Sequence, residues 1–144
     1  MKRLALVVVA GLALAGCGGS SHSATTGGAA NSEAQIRSAY EQLFSPKASL
    51  DDRVAVLQNG SRFKPVVASF ASNPLAKKVT VDVSKVQLQG SDKAKVVYTV
   101  KFGGTSLPTQ KGSAVLKNGT WKVGYASLCK LVALGGSTPS ACKP

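Results

Sequence analysis

The sequence has few of the residues that catalysis commonly uses. Its 144 residues include one histidine, His22, and six acidic residues against 18 lysines and arginines. It also lacks any apolar run near the roughly 20 residues that a membrane-spanning helix needs, which excludes a polytopic membrane protein. Hydrophobic residues make up 44% of the chain, which excludes a wholly disordered protein. The length predicts one ordinary domain.

The first residues have the form of an export signal. Lys2 and Arg3 precede an unbroken run of apolar residues and glycine that begins at Leu4, and this run is too short to anchor the chain in a membrane. It ends in Leu14-Ala15-Gly16-Cys17, which resembles the lipobox of bacterial lipoproteins. The resemblance implies that residues 1–16 are a signal peptide, that Cys17 carries lipid chains such as palmitate, and that the protein stands on the extracytoplasmic face of the cell membrane. The alternative is an ordinary secretory signal with a coincidental cysteine.

Residues 17–31 are predicted to form a flexible tether that starts at the lipidated cysteine. From Gly18 to Asn31 the chain holds only Gly, Ser, Thr, Ala, Asn and His22. Such a segment cannot bury apolar surface, and a segment of this length reaches about 20 Å. The remaining residues, 32–144, are expected to fold as a single domain just above the membrane.

Three helices are predicted at the start of this domain. Ser32 and Gln35 form a capping-box pattern ahead of an amphipathic run that ends before Pro46. A second helix is predicted to begin at Ser49, where acidic residues of the first turn suit the helix dipole. A third is predicted to begin near Ser61 and to end before the next Asn-Pro pair.

The hydrophobic period then changes from that of a helix to that of a strand. Apolar residues are odd-numbered from Val79 to Val83 but even-numbered at Val86 and Leu88, and this switch indicates a bulge near Ser84-Lys85. Later, Asn118-Gly119 is a strong signal for a hairpin turn.

The hairpin is predicted to lead into a return strand and a final helix. Trp121, Val123 and Tyr125 alternate along the return strand, and Ala126 to Leu134 read as a short apolar helix. The predicted class is therefore α+β, with three N-terminal helices packed on a curved antiparallel sheet of about four strands and a short C-terminal helix.

Two stretches of the chain carry the packing patterns of a known family. The first runs from Ala39-Tyr40 to Leu57-Gln58-Asn59-Gly60, and the second joins Asn118-Gly119-Thr120-Trp121-Lys122-Val123 to Ala126-Ser127-Leu128-Cys129. Both are similar to the low molecular weight antigen family of actinobacterial secreted proteins. The resemblance implies a cystatin-like cone of the nuclear transport factor 2-like type and an exported location. It brings no catalytic motif and no active-site residues.

The two remaining cysteines are predicted to form a disulfide. With Cys17 lipidated, Cys129 and Cys142 are an even pair in an oxidising compartment, 13 residues apart. A bridge that closes a loop of this size stabilises a domain by about 3 kcal/mol in the chain-entropy model. Two free thiols are the alternative.

The sequence has few residues that could form a catalytic or metal-binding site. The only histidine lies in the predicted tether, and the acidic residues are scattered, so we expect no metal and no cofactor. Asp82 is the only acid on a predicted strand, and as a buried base in the cone it would make the protein an isomerase-like enzyme. Tyr98, Phe102, Trp121 and Tyr125 either form core or line a cone that carries a small apolar ligand.

The excess of positive charge is the remaining unusual feature. Removing Lys2 and Arg3 with the signal peptide leaves 16 basic residues against 6 acidic ones, a net charge of +10. The alternation of apolar residues along the strands predicts that most strand lysines share the outer face of the sheet. These are Lys85, Lys95, Lys101, Lys117 and Lys122, with Lys93 and Lys111 near the strand ends on the same side.

Two interpretations of this basic face stay open. The lysines either solvate the sheet and block edge-to-edge pairing, or they contact an anionic surface. The second is the leading hypothesis: a non-enzymatic binding domain, held on the membrane by its lipid, docks on anionic lipid, an acidic cell-wall polymer or another exported protein. Export makes nucleic acid implausible as a partner.

Overall fold

The computed structural model describes residues 23–144, so the predicted signal peptide, Cys17 and the first residues of the predicted tether lie outside the described residues. An antiparallel sheet curls into a half-barrel, with helices packed on one face, and this confirms the predicted cone-like α+β fold. The elements in chain order are α1 (Ser23–Phe44), α2 (Leu50–Ala55), α3 (Gly60–Ser72), a 3₁₀ turn (Pro74–Lys78), β1 (Val79–Gln89), β2 (Lys93–Phe102), β3 (Thr105–Ser106), β4 (Gln110–Lys117), β5 (Thr120–Val123), α4 (Tyr125–Leu134) and a second 3₁₀ turn (Ser140–Cys142).

Helix α1 begins earlier than the sequence predicts. Ser32 lies inside the helix and does not cap it. Residues 23–31, which are predicted above as part of the flexible tether, belong to this helix. Each residue added to an existing helix gains a hydrogen bond without a new nucleation cost, so the extension needs no apolar contact. Ala30 and Asn31 are indeed exposed on it.

The next two helices begin where the sequence places them. Ser49 caps α2 with a complete capping box, in which its Oγ accepts from the backbone N–H of Asp52 at 3.1 Å and the Asp52 carboxylate accepts from the N–H of Ser49 at 3.3 Å. Helix α3 contains Pro65 as its sixth residue, past the first turn, so the helix forms without the backbone hydrogen bond that this position would donate to Ser61.

The predicted bulge is present in β1. The sheet order is β1-β2-β4-β5, with β3 paired to β2, and the register of β1 against β2 shifts between Val83 and Lys85. The shift allows the odd-numbered valines before it and Val86 after it to face the helices together. Arg37 of α1 donates through Nη1 to the carbonyl of Val83 and so ties the helix to the bulge.

The predicted hairpin is also present, but the strand after it is shorter than expected. Asn118 and Gly119 both have positive φ, 50° and 75°, as a type I′ turn requires. Strand β5 ends at Val123, and Tyr125 is the first residue of α4. The prediction of Tyr125 on the strand is therefore wrong, because Gly124 turns the chain and donates from its N–H to the carbonyl of Ser113 at 2.8 Å.

The core lies between the inner face of the sheet and the helices. Tyr40 and Phe44 of α1 are fully buried there against Tyr98 of β2. The predicted disulfide joins Cys129 of α4 to Cys142, so the C-terminal segment is fixed against the last helix.

Candidate functional site

The strand register places the predicted lysines on one face of the sheet. In β2 the even-numbered residues Ala94, Val96, Tyr98 and Val100 are buried against the helices, so the odd-numbered residues face outward. The pairings of β2 with β1 and β4, and of β4 with β5, extend this outer face across the sheet. We call its lysines the basic face: Lys85, Lys93, Lys95, Lys101, Lys111, Lys117 and Lys122.

Two lysines of the basic face already have partners in the fold. The ammonium of Lys101 lies 3.3 Å from the carboxylate of Asp82, and that of Lys122 donates to the carbonyl of Ala55 at 2.6 Å. The other five are exposed, and within residues 23–144 none of them forms a salt bridge. Their charges are therefore available to an anion from outside.

Part of the basic face is concave. A depression of about 480 Å³ is lined by Lys85, Lys95 and Lys111 together with Lys130 of α4. Lys130 is fixed there because its Nζ donates to the carbonyl of Lys111 at 2.7 Å. Several ammonium groups around one depression raise the local potential more than the same charges spread over a flat surface. The sequence did not predict Lys130 as part of this group. Lys130 lies on a helix, and the alternation of residues along a strand gives no information about the position of a helical residue.

Asp82 is not the buried base of an isomerase-like enzyme. Its side chain is 61% exposed and lies on the outer face in a salt bridge with Lys101. It lies between odd-numbered residues that face the helices, and so it points to the opposite side. The isomerase-like alternative thereby loses the only strand carboxylate on which it depended.

The aromatic residues proposed to line the cone do not line one cavity. Tyr98 is 1% exposed and its ring lies 5.1 Å from that of Tyr40, while Trp121 is buried in the core. Tyr125 lies on the first turn of α4, 41% exposed, with its ring stacked on Phe63 at 5.0 Å. Phe102 borders an apolar cavity at the end of the sheet, which the other three do not line. The interior between α1 and the sheet is filled by side chains.

A buried polar cluster, which sequence reasoning missed, crosses this core. The hydroxyl of Tyr40 donates to the carbonyl of Ser113 at 2.8 Å and lies 2.9 Å from Oγ of Ser127. Burial raises the pKa of Tyr40 far above its ordinary value, and burial also raises the pKa of Tyr98. Both phenols therefore stay protonated at neutral pH. No carboxylate or imidazole takes part, so this cluster fixes α4 against β4 and lacks a general base.

Among residues 23–144, Arg53 is the one charged residue that is buried. Its guanidinium donates to the carbonyls of Leu43 at 3.1 Å and Ala48 at 3.2 Å, and it lies 5.6 Å from the ring centre of Phe70. Burial lowers its pKa. The carbonyl of Leu43 belongs to the last turn of α1, so Arg53 supplies a donor that the helix end lacks. The sequence spacing could have indicated that Arg53 is buried, because Arg53 lies three residues after Leu50 and shares its helix face.

Two kinds of feature are absent from residues 23–144, a cluster of metal ligands and a membrane-spanning helix. They contain no group of three side chains that could together hold a metal ion. None of the helices described is both long enough and apolar enough to cross a bilayer.

Comparison with known proteins gives a family for this fold. No curated protein matches the chain. A family model does match, the C-terminal domain of low molecular weight antigen MTB12, over residues 29–139. This range takes in most of α1, the whole sheet and α4. It therefore includes the basic face, the polar cluster and most of the loop that the disulfide closes. The chain belongs to the low molecular weight antigen MTB12 family.

Proposed function

We propose that the protein is a non-enzymatic binding domain, held on the outer face of the cell membrane, that docks its basic face on an anionic surface. The observation that carries the proposal is the one-sided charge of the sheet. Seven lysines share the outer face, and Asp82 is the only acidic strand residue among residues 79–123. Opposite charge attracts such a face to phospholipid head groups or acidic polymers, whatever their detailed structure.

The expected strength follows from the number of available charges. Each lysine near an anionic membrane contributes about 1 kcal/mol. Five lysines of the basic face are exposed and have no salt bridge among the described residues, so together they are enough for reversible docking. The attraction extends about 10 Å at 0.1 M salt and about 3 Å at 1 M, so docking should weaken steeply as salt is added.

The lipid anchor is a separate part of the proposal and rests on the sequence alone. Cys17 lies outside the described residues, directly after the predicted signal peptide. Several acyl chains on that cysteine would hold the protein firmly on the membrane, since each buried CH₂ contributes about 0.8 kcal/mol. Replacing Cys17→Ser should release the protein from the membrane fraction, and retention of the variant there would contradict the anchor.

The docking experiment uses the mature chain, residues 17–144, with Cys17→Ser so that no lipid contributes. Cooperative unfolding in urea verifies its fold. Binding is measured by co-sedimentation with phosphatidylglycerol vesicles, phosphatidylcholine vesicles and purified cell-wall sacculi across a salt series. We expect salt-sensitive binding to the phosphatidylglycerol vesicles and none to phosphatidylcholine.

A charge-matched pair of variants assigns the binding to the basic face. Reversing Lys85, Lys95 and Lys111 to glutamate should weaken binding by at least about 100-fold, because three contributions of about 1 kcal/mol are lost. The control reverses three exposed lysines away from the face, Lys47, Lys77 and Lys143, and changes the net charge equally. Equal losses in both variants would show that only net charge matters and would refute the proposal. Binding to sacculi alone would make the wall polymer the partner, and binding to none of the three would leave a partner protein as the alternative.

A further inference from the structure

A second concave site lies at the end of the sheet where β1 begins and β2 ends. It is a cavity of about 300 Å³ between the C-terminal half of α3, the first 3₁₀ turn and the last turns of α4. Its walls are mainly apolar, and they include Val66, Phe70, Val79, Phe102, Leu131 and Val132. It shares no residue with the basic face, so what it binds is independent of anionic docking.

The lining contains no group that would hold a charged or sugar-like ligand. No lysine, arginine, histidine, aspartate or glutamate lines this cavity. Its polar side chains are Ser69, Asn73 and Ser137, and the amide oxygen of Asn73 already accepts from the backbone N–H of Leu75 at 2.9 Å. A concave site lined mainly by apolar side chains and without a charged group favours the apolar part of a ligand.

The mouth of the cavity is marked by exposed leucines. Among the described residues the exposed large apolar side chains are Leu75, Tyr125 and Leu134, and both leucines line this cavity. Leu75 is 54% exposed and Leu134 57%, so each borders the cavity with one part of its side chain and faces water with the rest. A concentration of exposed apolar surface at the rim of an apolar cavity marks a binding site.

The disulfide fixes one wall of the cavity. Ser137 and Pro139 line it, and both lie in the loop that the bridge between Cys129 and Cys142 closes. Without the bridge this segment would be held by few other contacts, because residues 133–138 are exposed. The disulfide thus holds the C-terminal wall of the cavity in place.

We propose that this cavity binds one aliphatic chain of an amphiphile, with the polar end of the ligand in water beyond Leu75 and Leu134. The size agrees with a single chain. An apolar cavity of 150 Å³ holds benzene, so one of about 300 Å³ holds about a dozen carbon atoms. A polar end on the ligand follows from the exposure of the two leucines, because the part of the ligand beyond them meets water.

The test titrates the unacylated mature chain with octanoate, decanoate and dodecanoate, and with uncharged decanol, each below its aggregation limit. Affinity is measured by calorimetry, and the site by backbone amide shifts. Each CH₂ contributes about 0.8 kcal/mol, so each added carbon should tighten binding about fourfold until the cavity is full. The amides of Leu134 and Gly135 should shift, and those of Lys95 and Lys111 should not.

Variants separate the cavity from other apolar surface. Val132→Phe places a larger side chain in the cavity and should weaken decanol binding at least about tenfold. Leu134→Ser removes apolar surface from the rim of the cavity and should weaken decanol binding about fivefold. Folding should be little affected because Leu134 is exposed. The control Tyr125→Ser removes the third exposed large apolar side chain, which does not line the cavity, and should change affinity less than about twofold.

Three results would overturn the proposal. The first is no binding of any of the four probes to the wild-type chain. The second is binding of the carboxylates without decanol and with shifts at Lys95 and Lys111, which would place the probe on the basic face. The third is decanol binding that Leu134→Ser and Tyr125→Ser weaken equally. Failure of anionic docking would leave the cavity proposal unaffected, because the two tests use different probes and different residues.

Discussion

Replacing Tyr40 with phenylalanine removes one oxygen atom from the buried polar cluster, and its cost can be worked from the contacts. The lost hydroxyl donates to the carbonyl of Ser113 and contacts Oγ of Ser127. Both partners retain another hydrogen bond. The Ser113 carbonyl also accepts from the N–H of Gly124 at 2.8 Å, and Ser127 Oγ accepts from the N–H of Ser113 at 3.4 Å. The Ser127 hydroxyl loses the acceptor of its own hydrogen, so we expect a loss of about 1–2 kcal/mol in the free energy of unfolding, the lower part of the range of about 1–3 kcal/mol for a buried group left unpaired.

Urea denaturation of the unacylated mature chain measures this loss. The slope of the unfolding free energy against urea concentration should stay unchanged, because the variant exposes the same surface on unfolding. Only the urea concentration at the midpoint should fall. Tyr125→Phe is the matched control, since Tyr125 is exposed and its hydroxyl forms no hydrogen bond within residues 23–144. That control should change stability by less than about 0.5 kcal/mol.

A double-mutant cycle with Ser127→Ala tests whether the two hydroxyls act together. Residues that share a hydrogen bond show coupling energies of about 0.5–3 kcal/mol, so the double variant should lose less than the sum of the single losses. Additive losses would refute the direct hydrogen bond between the hydroxyls. A Tyr40→Phe loss no larger than that of Tyr125→Phe would refute the structural role of the whole cluster.

Three further predictions concern the same part of the fold. The pKa of the Tyr40 hydroxyl is raised in the folded state, so its contribution to stability is fully present below about pH 10 and is lost as the pH rises further. The urea midpoint of the wild type should therefore fall above about pH 10, and that of Tyr40→Phe should fall less. Gly112→Ala should cost about 1–3 kcal/mol in urea unfolding, because a methyl group there would overlap the hydroxyls of Tyr40 and Ser127, whereas Gly28→Ala meets nothing within 4 Å and should cost nothing. Cys142→Ser should lower the free energy of unfolding by about 3 kcal/mol, and a reductant should lower that of the wild type equally but leave the variant unchanged.

The alternation of apolar residues made the sheet predictable. A strand has a side-chain period of two, so the change from odd to even apolar residues after Val83 required an extra residue, and the register shift lies at that place. The same period assigned Lys85, Lys95 and Lys101 to the outer face without any knowledge of the tertiary fold. The turn at Asn118-Gly119 was predictable for an equally local reason, because few residues tolerate two positive φ angles in succession.

Features formed between elements were not predictable from such patterns. The pairing of Tyr40 with Ser127 joins residues 87 positions apart. The hydroxyl of Tyr40 gives no periodic signal, because the aromatic ring alone explains its place on the apolar face of α1. The aromatic residues Tyr98 and Trp121 were correctly placed on the inner face, but whether such residues pack together or surround a cavity depends on the approach of the helices. Helix α1 comes close enough for its side chains to fill the space.

The early end of β5 links the misplaced Tyr125 to both candidate sites. Strand β5 pairs only with residues 114–117 of β4, and α4 occupies the position beside residues 110–113 that a longer strand would have taken. The contact is direct, since Lys130 donates to the carbonyl of Lys111 and the N–H of Ser113 donates to Ser127. A strand that continued through Tyr125 would have removed Lys130 from the basic depression and Leu134 from the rim of the apolar cavity. The turn at Gly124, which strand alternation alone did not reveal, therefore determines where both concave sites form.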